Sequence, residues 1–431
     1  MPSHRRVASV RHGKLKRPHP VLTLLKVLLA IVAVVTVSAG SVAAIAVYNL
    51  DRQLKDNAVA LDTTPEPAPT ATDPTEKPKP VEIGSFDGGA NILLVGSDSG
   101  QGNAAYGVRG ASLNDVNILV HINEDHSGMS VISFPRDTFV NIPECTNPDT
   151  GAVRAASSGT KINEALGRGG LACVVSTVES LTGASIPYAG LIEFDGVVEM
   201  SNAVGGVTVC INEDINDKYT GLHVAAGEQT LQGSDALAFL RTRHGVGDGS
   251  DLGRISNQQV FLSALIRSIK SDSTLNDPSK LYALANATAQ NVVLSTSLTG
   301  IDTMVSLAKT MREIPLDRIA FIQYPTAVTT LGSQSGVLPI TDAASALMTA
   351  VLNDDPLALT GGTAPGQIGS IVTGVVPDVP VAPAVPETST PSATPSPSTP
   401  VVPEAQPKEP VALPSQVTGQ TANQVTCSNA N

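Results

Sequence analysis

No charged residue stands between Lys26 and Asp51, and positions 27–48 are apolar or small throughout. An uncharged run of roughly 20 residues is long enough to cross a bilayer as a helix. This run constrains the rest of the chain, because it decides on which side of a membrane the remainder folds. Arg5, Arg6, Arg11, Lys14, Lys16 and Arg17 precede it, with no Asp or Glu among residues 1–20. Cytoplasmic flanks collect Lys and Arg. The pattern therefore predicts a single-pass protein of the cell membrane with its N-terminus cytoplasmic and everything beyond Asp51 extracellular. The alternative is a cleaved signal peptide, for which Ser41-Val-Ala-Ala44 offers small residues. The apolar part of such a peptide usually has only about 7–15 residues, which favours a retained helix.

Low-complexity stretches then mark the boundaries. Residues 63–80 alternate Pro with Thr, Glu and Lys, and residues 361–414 are dominated by Pro, Val, Thr and Ser. Neither composition buries enough apolar surface to fold, and each reads as a semi-extended spacer. The expected organisation is a basic cytoplasmic tail over 1–20, a transmembrane helix over 21–48 and an extracellular linker over 49–83. One catalytic-sized domain follows over 84–355, and a Pro/Ser/Thr-rich tail over 356–431. The formal net charge of the 431 residues is −12, and it is more acidic still once the basic tail is set aside. Such a body is a poor partner for nucleic acid, whose non-specific affinity comes from Lys and Arg on phosphates.

Within 84–355, short apolar runs alternate with helical patterns. Strands are predicted over 90–95, 116–122, 129–134, 189–194, 206–211 and 318–323. Helices are predicted over 161–167 and 171–181, joined at Gly169-Gly170, and over 196–203, 234–240, 251–269, 281–289, 302–311 and 343–352. This alternation argues for an α/β fold, a three-layer α-β-α sandwich with a central mixed sheet, preceded by the transmembrane helix.

The chemistry concentrates in Arg241-Thr-Arg243-His-Gly-Val-Gly-Asp-Gly-Ser-Asp251-Leu-Gly-Arg254 and the Asn257-Gln258-Gln259 that follows. If the chain leaves the helix over 234–240 extended, Arg241 and Arg243 point the same way. Asp251 is placed to cap the next helix, on which Arg254 and Gln258 share a face at i, i+4. Guanidinium forks bind phosphate oxygens bidentately and stay charged at physiological pH, and a helix start adds aligned N–H groups. A phosphate or diphosphate suits the stretch. The competing reading is a surface loop whose arginines pair with carboxylates. The glycines here follow a helix rather than a strand, so they are no dinucleotide fingerprint.

Strand ends supply further polar groups, as α/β sites commonly do. Asp98 follows the first strand, Asn114-Asp115 precedes the second, and Ser133-Phe-Pro-Arg136-Asp137-Thr138 closes the third. Two carboxylates beside a phosphate site suit Mg²⁺, which favours one or two carboxylates plus phosphate oxygens. Cys145 and Cys173 flank a polar, glycine-containing region that a disulfide would close, while Cys210, inside an apolar strand, is expected as a buried thiol. That leaves Cys427 over, although spacing alone does not fix connectivity. No Cys-x-x-Cys pairing suggests zinc.

These motifs, taken together, resemble the LytR-CpsA-Psr family of bacterial cell-wall assembly proteins, particularly its actinobacterial members. The resemblance runs through Gly96-Ser-Asp98, Asn114-Asp115, Ser133-Phe-Pro-Arg136-Asp137-Thr138, Lys161-Ile-Asn163-Glu-Ala, Phe194-Asp-Gly196, Val204-Gly-Gly-Val207, Arg241-Thr-Arg243 and Asp251-x-Gly-Arg254 to Gln258-Gln259. It implies an α-β-α fold with an apolar cavity for a polyprenyl chain. It also implies a phosphotransferase that moves a glycopolymer from a polyprenyl-diphosphate carrier to peptidoglycan, assisted by Mg²⁺ at the cytoplasmic membrane's outer face. Asp98 and Asp115 match the metal carboxylates, and Arg136, Arg241, Arg243, Arg254 and Gln258 match the lipid-diphosphate binders. Asp98, Asp115, Arg136 and Arg254 are the expected catalytic set. Where the family usually has an Arg two residues before the second aspartate this chain has Leu113, with Arg109 as the nearby substitute. Asn257 stands where many members carry Arg. Two other readings of the same residues are a polyprenyl-diphosphate pyrophosphatase and a non-catalytic carrier-binding or regulatory module.

Overall fold

A computed structural model of the chain describes residues 20–61, 86, 88–97, 112–148, 150–271, 277–359, 370–375 and 408–431. The chain divides into two compact units, residues 1–52 and 53–431. The first unit contains most of helix α1 (Pro20–Asp56), which therefore runs past the expected end at residue 48. Its Val27, Leu28, Ile31, Val34 and Val35 side chains are all exposed. Thr36 and Ser41 turn their hydroxyls back to carbonyls of Val32 (3.0 Å) and Val37 (2.8 Å), so both donors are satisfied inside the helix. Among the described residues no helix is long and apolar enough to cross a membrane.

The second unit is built on a mixed sheet, seven-stranded among the described residues. In chain order its strands are β1 (Ala90–Ser97), β2 (Asn114–Ile122), β3 (Met129–Phe134), β4 (Tyr188–Ile192), β5 (Val292–Leu294), β6 (Ile319–Gln323) and β7 (Thr418–Thr421). Across the sheet they stand β5-β4-β1-β2-β3-β6-β7. The β1/β4 and β3/β6 pairs are parallel and the others antiparallel. β1 to β3 are apolar on successive residues because both sheet faces are covered.

One face carries Leu93, Val95, Leu119 and Ile132 into a core with Leu171, Val174 and Val178 of helix α2 (Ala165–Thr182) and Leu347 and Val351 of the helix Thr341–Leu352. Opposite lie α3 (Phe194–Ala203), α4 (Gly233–Arg241) and α5 (Asp251–Lys270). α4 and α5 in turn bury Phe239, Val260 and Phe261 against Val207, Val209 and Ile211 of a second sheet. That four-stranded sheet has the order Gly227–Leu231, Val207–Ile211, Gln424–Ser428, Ser370–Val375.

α2 bends where the sequence places its two glycines: Gly169 and Gly170 leave helical geometry, Gly170 with φ +65°. A side chain at Gly169 would come within 2.7 Å of the Cys145 Cβ and 2.9 Å of the Cys173 Cβ. The kink thus makes room for the Cys145–Cys173 disulfide, which pins α2 to the strand Cys145–Thr146.

Three expectations are overturned. Cys210 is not a free core thiol and Cys427 is not left over, for they are bonded to each other across adjacent parallel strands. Nor is all of 356–431 a low-complexity tail. Residues 408–431 hold β7, which extends the central sheet, and the strand Gln424–Ser428, whose Thr426, Cys427 and Ser428 are buried. The composition of the preceding Pro-rich stretch hid them, since a short strand after a long spacer has too few residues to set a period. The linker expected over 49–83 also begins later, because Leu54 is buried and Val59 bridges to Ser295.

Candidate active site

A cavity of about 300 Å³ opens between the C-terminal part of β1, the start of β2 and helices α3, α4 and α5. Its wall combines apolar side chains, Leu94, Val116, Ile118, Ile192, Leu237, Leu240 and Leu262, with polar ones, Ser97, Asp115, Arg136, Arg241, Arg243, Arg254 and Gln258. Of the residues singled out from sequence, Asp115, Arg136, Arg241, Arg243, Arg254 and Gln258 therefore meet around one space. Asp98 and Arg109 lie outside the described residues.

The polar lining is a lattice of opposite charges. Arg136, just after β3, places Nη1 2.5 Å from the Asp115 Oδ1 and Nε 3.7 Å from the Asp251 Oδ1. Arg254 sets one Nη2 2.7 Å from that same Asp251 oxygen and donates to the Asp115 carbonyl at 2.9 Å. Asp251 was expected to cap α5. Ser250 does so instead, its Oγ accepting from the Gly253 N–H at 3.2 Å, which frees the Asp251 carboxylate to hold both arginines. Arg136 also reaches Asp137 at 3.6 Å, and Asp137 is held by Lys161 at 2.8 Å.

Arg254 is only 5% exposed. Burial lowers its pKa, Asp251 and Asp115 oppose that, and Arg136 and Arg243 add to the lowering. For Arg136 burial again pulls down, yet Asp115, Asp251 and Asp137 outweigh it and the pKa is raised. Guanidiniums are not deprotonated in proteins, so both stay charged. The arginines do pair with carboxylates, as the competing sequence reading held, but inside the protein rather than on its surface. Pairing leaves part of each fork over: the Nε–H groups of Arg136, Arg243 and Arg254 are buried with no hydrogen-bond acceptor among the described residues. Buried donors without acceptors are costly.

The two preceding arginines come to the cavity by a change of backbone. Arg241 ends α4, Thr242 turns extended, and its hydroxyl donates to the Asp217 carboxylate at 2.6 Å. Arg241 lies 4.2 Å above the Phe194 ring, a cation–π contact that orients it. Gln258 lines the cavity, but its amide N–H donates to the Leu240 carbonyl at 3.0 Å, tying α5 to α4. Asn257 points elsewhere altogether, donating to the Phe239 carbonyl at 2.6 Å and accepting from the Ser428 hydroxyl at 2.5 Å.

Three contributors were quoted in the sequence motifs without the role they play here. Fully buried Asn114 bonds Asn117 (2.7 Å), the Ile162 carbonyl (3.0 Å) and the Leu166 N–H (3.0 Å), fixing the strand end that carries Asp115. Phe194 supplies the ring beneath Arg241. The third, Asp251, had been read as a cap. An Asn beside a motif Asp was the one visible signal, since a buried amide so placed must find partners on another element.

Residues 59–350 match the model of the LytR_cpsA_psr family. The chain is 33% identical over 234 residues to "Cell wall biosynthesis protein LcpA" of Corynebacterium glutamicum, covering 48% of this chain and 45% of that one. It is 32% identical over 214 residues to the Bacillus subtilis "Polyisoprenyl-teichoic acid--peptidoglycan teichoic acid transferase TagV", covering 48% and 50%. The chain thus spans about half the length of these curated relatives. The crystal structure of B. subtilis TagV superimposes with a TM-score of 0.50 at 25% identity, covering 62% of this chain and 97% of that one. It shares the α/β fold with the central mixed sheet.

Proposed function

From the premise that this chain belongs to the LytR_cpsA_psr family, we propose that it is a phosphotransferase that moves a glycopolymer from a polyprenyl-diphosphate carrier to peptidoglycan. The observation that carries the reading is the cavity's lining, divided between apolar side chains and a set of arginines. A polyprenyl diphosphate has the same division. The apolar side chains take the lipid, and Arg136, Arg241, Arg243 and Arg254 take the diphosphate.

In the transfer, a sugar hydroxyl of peptidoglycan attacks the phosphorus that bears the glycan. The P–O bond to the lipid phosphate breaks, and polyprenyl phosphate leaves with that bond's electron pair. Phosphoryl transfer depends mainly on alignment and charge stabilisation. Preorganised guanidiniums supply both without rearrangement. The hydroxyl proton must pass to a base. Of the described carboxylates, Asp115 and Glu193 line the cavity and Asp137, held by Lys161, does not.

Mg²⁺ is part of the proposal. Among the described residues no group of three or more His, Cys, Asp or Glu side chains could hold a metal. Two carboxylates, Asp115 and Glu193, line the cavity, which fits an ion that takes most of its ligands from phosphate oxygens and water. The ion would offset diphosphate charge.

The same reading places the protein in the cytoplasmic membrane, its N-terminus inside and the catalytic unit outside. It rests on the basic segment 1–20 and on the uncharged, apolar or small run over 27–48 that follows it. Protease added to intact, wall-stripped cells should remove the catalytic unit, and a fully protected unit would sink this topology.

The activity is tested by incubating the purified catalytic unit with a radiolabelled polyprenyl-diphosphate glycan, Mg²⁺ and peptidoglycan fragments. Label attached to peptidoglycan supports transfer. Label released as free glycan phosphate, with acceptor present, would make the protein a pyrophosphatase, and unchanged carrier would leave it a binding module.

A further inference from the structure

The loop His244-Gly-Val-Gly-Asp-Gly249 joins Arg243 to the start of α5, and three glycines in six residues leave it little conformational preference of its own. Gly247 and Gly249 adopt positive φ, +55° and +76°. Something outside the loop must therefore decide its shape, and residues 429–431 lie along it. The Gly247 N–H donates to the Asn429 carbonyl at 3.1 Å, the Asn431 N–H to the Gly245 carbonyl at 3.3 Å, and the Asn431 side-chain amide to the His244 carbonyl at 3.1 Å. Val246 and Ala430 form an antiparallel bridge.

These residues are themselves anchored. Cys427 is bonded to Cys210, and the Asn212 N–H donates to the Ser428 carbonyl at 2.9 Å. The Ser428 hydroxyl bonds Asn257 on α5, and Arg267, further along α5, donates to the Gln424 carbonyl at 3.3 Å. The segment thus grips the helix that carries Arg254 and the loop that carries Arg243.

We propose that residues 424–431 are a positioning element for the anion site: a disulfide-anchored strap that holds the glycine loop so that Arg243 and Arg254 converge on one diphosphate. This rests on the diphosphate reading of the arginines. A flexible loop would otherwise visit the converged arrangement only part of the time, and affinity falls by that fraction.

The test measures binding of geranyl diphosphate by calorimetry in the oxidised protein. Deleting Asn429–Asn431 keeps the disulfide and should weaken binding by about tenfold if the converged arrangement drops to about a tenth of the population. Hydrogen exchange should rise at 244–249 and not in β1–β3. In an Arg243→Ala background the deletion should have little further effect, because the strap acts through that arginine. Should the deletion variant fail to fold, Asn431→Ala, which removes only the bond to the His244 carbonyl, carries the test with a smaller loss in the same direction. Affinity unchanged in the folded variant, while Arg243→Ala alone weakens binding, overturns the strap and leaves the diphosphate site standing. Affinity unchanged in Arg243→Ala itself removes the site and the strap together.

Discussion

The apolar and the polar lining of the cavity are built on opposite principles. The apolar lining is generic, for Leu94, Ile118, Leu240 and Leu262 present area, and a neighbouring aliphatic residue could replace any of them at modest cost. The polar lining is specific. Asp251 holds both Arg136 and Arg254, and Asp115 engages Arg136 by its side chain and Arg254 by its carbonyl. Removing one member leaves the others as buried, unbalanced charge. The contrast teaches that affinity for a long lipid can be spread over many contacts, while stabilisation of developing charge rests on a few fixed donors.

Arg254→Ala should break the polar lining most deeply. Transfer should fall by roughly 10²–10³-fold, the scale of losing one preorganised donor. Arg254→Lys should not restore it, because an ammonium cannot reproduce the planar fork. A well-folded Arg254→Ala protein with normal turnover would refute the division of roles.

Replacing Cys145 and Cys173 together by Ser acts on the far face of the sheet. Opening that loop, of sequence separation 28, should cost about 3–4 kcal/mol of stability on the chain-entropy model. Affinity for a diphosphate should hold below the melting transition. A drop in affinity in the folded double variant would show that the two faces are coupled.

In the apolar lining, Leu262→Ala removes half-buried area from the cavity wall. Binding of a long polyprenyl diphosphate should weaken by about tenfold, the scale of about 1–2 kcal/mol for the lost burial. Binding of inorganic pyrophosphate should not change. Equal losses for both ligands would place the lipid elsewhere.

The smallest effect is expected at Lys161→Ala. Its pair with Asp137 is partly solvated on both sides, so stability should change by less than about 1 kcal/mol. A large loss of turnover without loss of stability would move Asp137 from the periphery to the chemistry.

Local pattern determined a good part of this protein. β1, β2, β3 and β6 are legible as apolar runs, α2 breaks where Gly169-Gly170 stands, and α4 and α5 begin and end within a few residues of their predicted positions. Arginines at Arg136, Arg241, Arg243 and Arg254 are conspicuous because fixed charge is scarce in this chain, charged residues making up 15% of it. Tertiary structure decided what no window of sequence contains. Which residue caps α5, that Asp251 spends its carboxylate on two arginines, that Asn257 turns to Ser428, and that Cys427 reaches back 217 positions to Cys210 are all pairings between distant segments. Periodicity reports which face of an element is buried, whereas a hydrogen bond or disulfide depends on what the packed chain brings within about 3 Å of it.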